Sequence, residues 1–490
     1  MRNQPQLITY VDRLSGGTLQ DLIGLLEGPL AGLFGGVHLL PFYTPIDGAD
    51  AGFDPIDHTE VDPRLGTWDD VRRLASRFDL MADVIVNHLS IRSPQFKDYD
   101  ERGERSPYAG MFLTYSRVFP QGARESDLLA LHNIRPGLPF TQYDTAHGRR
   151  VLLWSTFSSE QIDIDVSHPE GRRYLDTVLT RLHGSGVRTI RVDAAGYAVK
   201  KAGTSCFMIP ETVAFLAAFT ARAHALGLDV LVEVHGHYLE QTQVAQQVDW
   251  VYDFALPPLV LHTLYTRDAT ALRRWIDVRP RNAITVLDTH DGIGVQDAAQ
   301  GREGHAGLLS PAEVDALVDT IHERSGGDSR HASGGAASNL DTYQINCTFL
   351  DALGGKDDEY LVARALQCFA PGIPQIYYVG LLAGRNDMAL LRRTGVGRDI
   401  NRHYYAPDEV KERLTRPVVQ RLIALLKCRK NHPAFAGAFD MKNSSSDRVL
   451  MTWTHGAEWA KLDVNLVHMT ASITCSGHDA AGPEGICVWR

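Results

Sequence analysis

The chain has 490 residues, 44% hydrophobic and 22% charged, with 49 basic side chains against 59 acidic ones and a net charge of −10. These are ordinary globular proportions, which exclude disordered and collagen-like classes, and the acidic surplus argues against nucleic acid or an anionic membrane as partner. No run of ~18 apolar residues stands anywhere, and "MRNQPQLITYVDR" lacks an apolar leader region, so the expectation is a cytoplasmic protein with neither spanning helix nor signal peptide.

The predicted elements begin with two apolar runs, "QLITY" (6–10) and "GVHLLPF" (36–42). A helix follows in "GTWDDVRRLASRFD" (66–79), where Thr67 and Asp70 have the spacing of a capping box. "MADVIVNH" (81–88) is a third strand, and residues 89–165 then read as a loop-rich insertion full of Pro, Gly and aromatics. Next come "VRTIRVD" (187–193), a helix from Pro210 to the stop at Gly227, "LDVLVEVH" (228–235) and "DWVYDF" (249–254). "NAITVLDTHD" (282–291) precedes a second insertion, 292–356, whose "SGGDSRHASGGAASN" (325–339) reads as a flexible Gly/Ser stretch with one helix before it. "GIPQIYY" (372–378) is the eighth strand. Strands this continuously apolar are buried on both faces, and eight of them alternating with helices predict an α/β fold, a (β/α)₈ barrel. The barrel is assigned 1–88, 166–291 and 357–430; β-type runs such as "RVLMTWTH" (448–455) predict a small C-terminal β domain over 431–490. Six scattered cysteines without a CxxC pair predict free thiols, Cys475 and Cys487 included.

Polar residues collect where the strands end: Asn87 and His88, Arg191 and Asp193, Glu233 and His235, His290 and Asp291. In a barrel that end carries the active site. Each residue alone could be a helix cap or a solvated loop charge. Three carboxylates on three strands, however, suit glycosyl transfer: one nucleophile, one proton donor and one group to hold the sugar. Arg191 would keep Asp193 ionised. The small residues after it, Ala194, Ala195 and Gly196, would leave room for a substrate.

"DVIVNH" (83–88), "IRVDAAGY" (190–197), "EVH" (233–235) and "LDTHDG" (287–292) resemble, in order and spacing, the four sequence blocks of the α-amylase family of glycoside hydrolases. Further stretches, among them "PFYTPIDGADAGFDPIDHTEVD" (41–62), "RPGLPF" (135–140), "AASNLDTYQIN" (336–346) and "GRDINRHYY" (397–405), resemble the branch of that family that splits sucrose with phosphate. The resemblance covers about residues 1–430. It implies Asp193 as nucleophile, Glu233 as acid/base and Asp291 as transition-state stabiliser. It implies Asp50, Arg398, His290, His88 and Arg191 around the glucosyl group, and Phe53, Phe157 and Tyr197 as walls. On the acceptor side it implies Arg135, His235, Asp341, Tyr343 and Gln344, with Arg135 and Tyr343 as phosphate contacts.

Ile134 and Thr342 depart from the branch's usual proline and leucine, both on the acceptor side. The expected reaction is retaining α-glucosyl transfer from sucrose to phosphate. Phosphorylases of sucrose 6'-phosphate, glucosylglycerol or glucosylglycerate, a sucrose hydrolase or transglucosidase, and a non-catalytic binding protein remain as alternatives. Asn87 matches a calcium-binding asparagine of many amylases, but the insertion has no dense Asp cluster, so no metal is expected, and no cofactor besides phosphate as co-substrate. The expected partners are these small molecules, in a monomer or homodimer.

Overall fold

The computed structural model describes residues 1–48, 50–133, 137–301, 304–337, 344–442, 444–477 and 486–489, with backbone alone for 334–337 and 486–489. Its centre is a closed barrel of eight parallel strands: β1 (Gln6–Thr9), β2 (Gly36–Leu39), β3 (Asp79–Ile85), β4 (Thr189–Asp193), β5 (Asp229–Val232), β6 (Trp250–Asp253), β7 (Ala283–Thr285) and β8 (Ile373–Tyr377). Neighbours in sequence are neighbours in the barrel, and β8 closes on β1 through Gln6 opposite Gln375. The strands are buried along almost their whole length because helices cover the outside.

Inside the barrel, the two-residue side-chain period stacks inward-facing groups in layers. Met81, Leu231 and Ile284 pack together in one layer. Two residues further along the chain come Asp83 and, just past the ends of β5 and β7, Glu233 and Val286; Arg191 likewise precedes Asp193 by two on β4. Below the site a buried polar chain runs from Asp83 to His38 (3.0 Å), on to Tyr252 and from there to Gln375. Tertiary packing thus fills the barrel with paired polar groups at the height of Arg191.

Helix α1 (Trp68–Ala75) starts as its spacing predicts, with the Asp70 carboxylate accepting from the Thr67 N–H at 2.9 Å. Helix α2 (Pro210–Ala225) opens on its proline, and Gly227 beyond its end takes a φ of +80°, which only glycine adopts without strain. The long segment after β3 contains the hairpin Phe140–Asp144 with Arg150–Trp154, and the antiparallel pair His88–Ser90 with Gln161–Asp163. Leu113, Phe119, Leu131 and Trp154 of this segment form a small core together with Cys206 from beyond β4.

Two expectations need correction. The Gly/Ser stretch 325–339 is not a flexible loop over most of its length: after α3 (Pro311–Arg324), residues Asp328–Ala337 form helix α4. Burial of Ser329 and Ala332, with Ala332 packed on Leu391 and Ile400, offsets the helix-breaking tendency of the glycines. The seventh strand is also much shorter than 282–291; its ladder ends at Thr285, and Asp288 turns away into a buried ion pair with Arg364 at 2.7 Å.

Beyond helices α5 (Asp357–Phe369) and α6 (Pro417–Asn431) lies an antiparallel sheet of β9 (Ala438–Lys442), β10 (Arg448–His455), β11 (Glu458–Asn465), β12 (Thr470–Cys475) and β13 (Ile486–Trp489). Trp453 of β10 docks it on the barrel by donating to the Phe369 carbonyl at 2.8 Å. Cys475 faces Cys428 of α6, Sγ to Sγ 3.6 Å, and both are free thiols; the Cys487 side chain is not described.

Candidate active site

Arg191 organises the centre. Two residues before Asp193 on the same inward face of β4, its guanidinium reaches Asp193 at 3.0 Å and Glu233 at 2.9 Å, and also bonds to Asp83 below. The arginine is 1% exposed, and both carboxylates above it are buried. Glu233 lies just past β5, where its second oxygen accepts from the Ala194 N–H at 3.2 Å. Burial, then the Glu233 charge, push the Asp193 carboxyl well above the usual range. Burial works to raise Glu233 too, but Arg191 and His235 outweigh it and hold that carboxyl down to about 2. One guanidinium thus serves two carboxyls that titrate together, and Asp193, expected to be kept ionised by Arg191, is instead the one pushed up.

Asp291 completes the set from the loop after β7. Its oxygens lie 3.0 Å from Arg398, 3.5 Å from His290 and 3.9 Å from His235. Against its burial, these three cationic or polar neighbours hold it far below the usual carboxylate range. Burial conversely pulls His290 down to about 3, so this imidazole is neutral at pH 7. The turn Gly397–Asn401 and Arg402 grip the loop: Asn401 donates to the Thr289 carbonyl at 3.0 Å and Arg402 to the His290 carbonyl at 2.9 Å. Asp50 sits between Arg398 (3.9 Å) and Arg402 (3.8 Å).

The walls are aromatic. Phe53 stacks on His290, centroids 4.6 Å apart and planes 8° apart; Phe157 meets Tyr197 edge-on at 5.4 Å. His88 bonds to the Phe53 carbonyl at 2.8 Å from the short strand His88–Ser90, not from the barrel ladder itself. Asp50, Phe53, His88, Phe157, Asp193, Tyr197, Glu233, His235, His290, Asp291, Gln344 and Arg398 together enclose about 60 Å³. Arg191 lies beneath this floor. Of the expected site residues, Arg135, Asp341 and Tyr343 lie outside the described residues, as do the departures Ile134 and Thr342. A larger hollow, about 790 Å³ around His262, Arg274 and Glu313, is lined by none of the three carboxylates.

The small residues after Asp193 act differently from the simple expectation. Ala194 lines the cavity in a left-handed conformation (φ 53°), but Gly196 makes room for a protein side chain: a Cβ there would stand 2.5 Å from the Phe207 ring. Several neighbours escaped the sequence reading. Lys200, just after the "IRVDAAGY" block, buries its ammonium against Asp163 (2.7 Å), Asn87 Oδ1 (2.8 Å) and the Tyr197 carbonyl. The Asn87 side chain is therefore spent on an ammonium ion. Arg402 and Asp297 were missed as well; a lone arginine or aspartate in a loop carries no signal until folding buries it. Among the described residues Glu233, His235 and Asp291 approach one another closely enough to hold a cation, within 4.8 Å. Arg191 and Arg398 already give those two carboxylates their counter-charges.

The arrangement sets three carboxyl groups, those of Asp193, Glu233 and Asp291, beside an aromatic-walled cavity. Three comparisons show what the chain is similar to. Residues 30–250 match the family model for the α-amylase catalytic domain. The chain is 56% identical to a sucrose phosphorylase of Agrobacterium vitis over 97% of this chain and 98% of that one. The chain belongs to the sucrose phosphorylase family, within the α-amylase family. A sucrose phosphorylase of Bifidobacterium adolescentis is 51% identical over 92% of this chain and 90% of its own length. The crystal structure of a sucrose 6F-phosphate phosphorylase from Thermoanaerobacter thermosaccharolyticum superimposes with a TM-score of 0.91 at 36% identity, covering 100% of this chain and 99% of the other. Membership also explains the closed eight-stranded barrel with its C-terminal sheet.

Proposed function

We propose that this protein is a sucrose phosphorylase, converting sucrose and inorganic phosphate into α-D-glucose 1-phosphate and D-fructose with retention at the anomeric carbon. The observation that carries the reading is the one guanidinium of Arg191 spanning Asp193 and Glu233 on the cavity floor. In the first step the Asp193 carboxylate attacks the anomeric carbon, the bond to fructose breaks, and Glu233 gives its proton to the departing oxygen. That step needs Glu233 protonated and Asp193 ionised. The positive charge developing at the anomeric carbon, next to Asp193, favours that state. In the second step a phosphate oxygen attacks the glucosyl ester, Asp193 leaves as carboxylate, and any proton on the attacking oxygen passes to Glu233.

Asp291 and His290 hold glucosyl hydroxyls, and Asp291 also stabilises the developing cation. Asp50 and Arg398 take the far hydroxyls; Phe53, His88, Phe157 and Tyr197 form the walls. Arg135, His235, Asp341, Tyr343 and Gln344 face the acceptor, with Arg135 and Tyr343 contacting phosphate. Phosphate must beat water at the glucosyl ester. With water at ~55 M and phosphate in the millimolar range, a ratio of ~10⁴ corresponds to roughly 5–6 kcal/mol of selective binding and positioning. No cofactor enters this chemistry, and the reaction belongs in the cytoplasm. No helix among the described residues is long and apolar enough to cross a membrane.

The deciding assay supplies sucrose with phosphate and measures glucose 1-phosphate against free glucose, then repeats it with sucrose 6'-phosphate and glucosylglycerol. Glucose 1-phosphate from sucrose, faster than from either alternative, is expected. Free glucose alone would make the protein a hydrolase, and a preference for another donor would move it to a neighbouring branch.

A further inference from the structure

Resting on that phosphorolytic reading, we propose that Asp297, outside every motif of the sequence, is the positioning residue that makes His235 the cationic element of the acceptor side. Asp297 lies in the turn Gln296–Ala298 and is fully buried. One of its oxygens stands 3.4 Å from His235 Nδ1; the other accepts from the Gly236 N–H at 3.2 Å and from Gln241 Nε2 at 2.8 Å. A buried carboxylate so placed holds the Nδ1–H tautomer and aims the ring, as an outer carboxylate does for a metal-bound histidine. The ring is also clamped by Phe254, stacked at 3.9 Å and 15°.

The fit leaves no slack. A Cβ on Gly294 would stand 2.4 Å from the Asp297 carboxylate and 3.4 Å from His235 Nδ1, so only glycine lets the backbone pass this pair. Nε2 is thereby turned to the cavity, 3.5 Å from Glu233 and 3.9 Å from Asp291. Gln344 Nε2 lies 3.2 Å from it; a half-turn of that amide presents its oxygen to an imidazolium instead, giving up the 3.5 Å contact from Arg398 Nη2 to Gln344 Oε1. The charged groups facing the ring are thus Asp297, Glu233 and Asp291, with Arg191 behind Glu233, and Arg398 and His290 behind Asp291. Burial alone would strip the proton from His235; Asp297 and then Glu233 reverse this and push it up to about 10.

An imidazolium at neutral pH attracts a phosphate dianion through a charge-assisted hydrogen bond, whereas water or a sugar hydroxyl gains far less from it. Asp297 therefore acts on the choice of acceptor, through His235, without touching substrate.

The test is Asp297→Asn, assayed with sucrose and phosphate for both glucose 1-phosphate and free glucose. Loss of one charge-assisted contact raises the KM for phosphate about tenfold or more, and the free-glucose share rises. The rise in phosphate KM with alkaline pH also begins at lower pH, because an amide no longer holds the imidazolium. Asp297→Glu restores the phosphate preference in part, and in a His235→Gln background Asp297→Asn changes the product ratio no further. An equal fall of both products with an unaltered phosphate KM and pH profile would overturn the proposal. If Asp297→Asn does not fold, His235→Gln alone must raise the phosphate KM, and an unchanged value there overturns it too. Free glucose as the sole product of the wild-type protein refutes the phosphorolytic reading instead, and this proposal with it.

Discussion

At the residue scale the site is a set of charges whose neighbours decide their state. The Asp193 carboxyl is pushed up and the Glu233 carboxyl held down because the groups around them differ, although one arginine serves both. Asp193→Asn is expected to abolish phosphorolysis and hydrolysis alike, by ~10⁴-fold or more, since neither begins without the covalent ester. Glu233→Gln should fall by a similar factor with sucrose but recover much of the loss with α-glucosyl fluoride, whose leaving group needs no proton. Activity near half of wild type with sucrose in either variant, read as the initial rate of fructose release, would remove that residue from its role. Arg135→Ala belongs to the acceptor half. There glucosyl-enzyme formation is expected to survive while product shifts from glucose 1-phosphate to free glucose, and an unchanged ratio at millimolar phosphate would exclude Arg135 as a phosphate ligand.

At the element scale the unexpected helix α4 matters because of what leans on it. Its Ala332 packs on Ile400 of the turn Gly397–Asn401, the turn that carries Arg398 to Asp291. The two backbones touch: a Cβ on Gly397 would come within 2.2 Å of the Ala332 carbonyl oxygen. A backbone oxygen cannot swing aside as a side chain can. Gly397→Ala should therefore displace the turn, destabilise the protein by roughly 1–3 kcal/mol, and weaken the Arg398 clamp on Asp291. We expect kcat/KM for sucrose to fall at least about tenfold while the barrel's circular dichroism stays unchanged. Full activity would mean that α4 and the turn move together.

At the scale of the whole molecule, buried histidines set the response to acid. His58, hydrogen-bonded to the Tyr174 hydroxyl at 2.8 Å, is pulled by burial down to about 3, as is His290. In the unfolded chain each titrates near 6.5. Between about 6.5 and 3 the unfolded state binds these protons and the native state does not, so their stabilising effect is complete above 6.5 and is lost as pH falls. Each contributes a slope of about 1.4 kcal/mol per pH unit in that window. Asp253 and Asp288, whose carboxyls burial raises, oppose it at the acid end. Urea unfolding is expected to show stability dropping from pH 7 to 5, with a shallower slope in His58→Gln. An identical slope in that variant would mean that His58 is protonated in the native protein.

Much of this molecule was legible in its sequence for a physical reason. Strands buried on both faces must be apolar throughout, so all eight barrel strands announced themselves, and chemistry gathered at their ends because a barrel leaves only that rim open. Asp193, Glu233 and Asp291 stood out by residue type and spacing, and the fold brings them together. What escaped is whatever depends on contacts between distant segments. The glycines of α4 argued for a loop until packing on Ile400 offset their entropy. Lys200 was one lysine among many until it closed on Asp163 and Asn87. Asp297 had no motif at all, and its bond to His235 joins residues 62 apart in the chain. Local sequence determined the strands, the insertions and the three carboxylates. Tertiary structure alone decided which charge faces which, because protonation follows from burial and neighbours that the linear order does not contain.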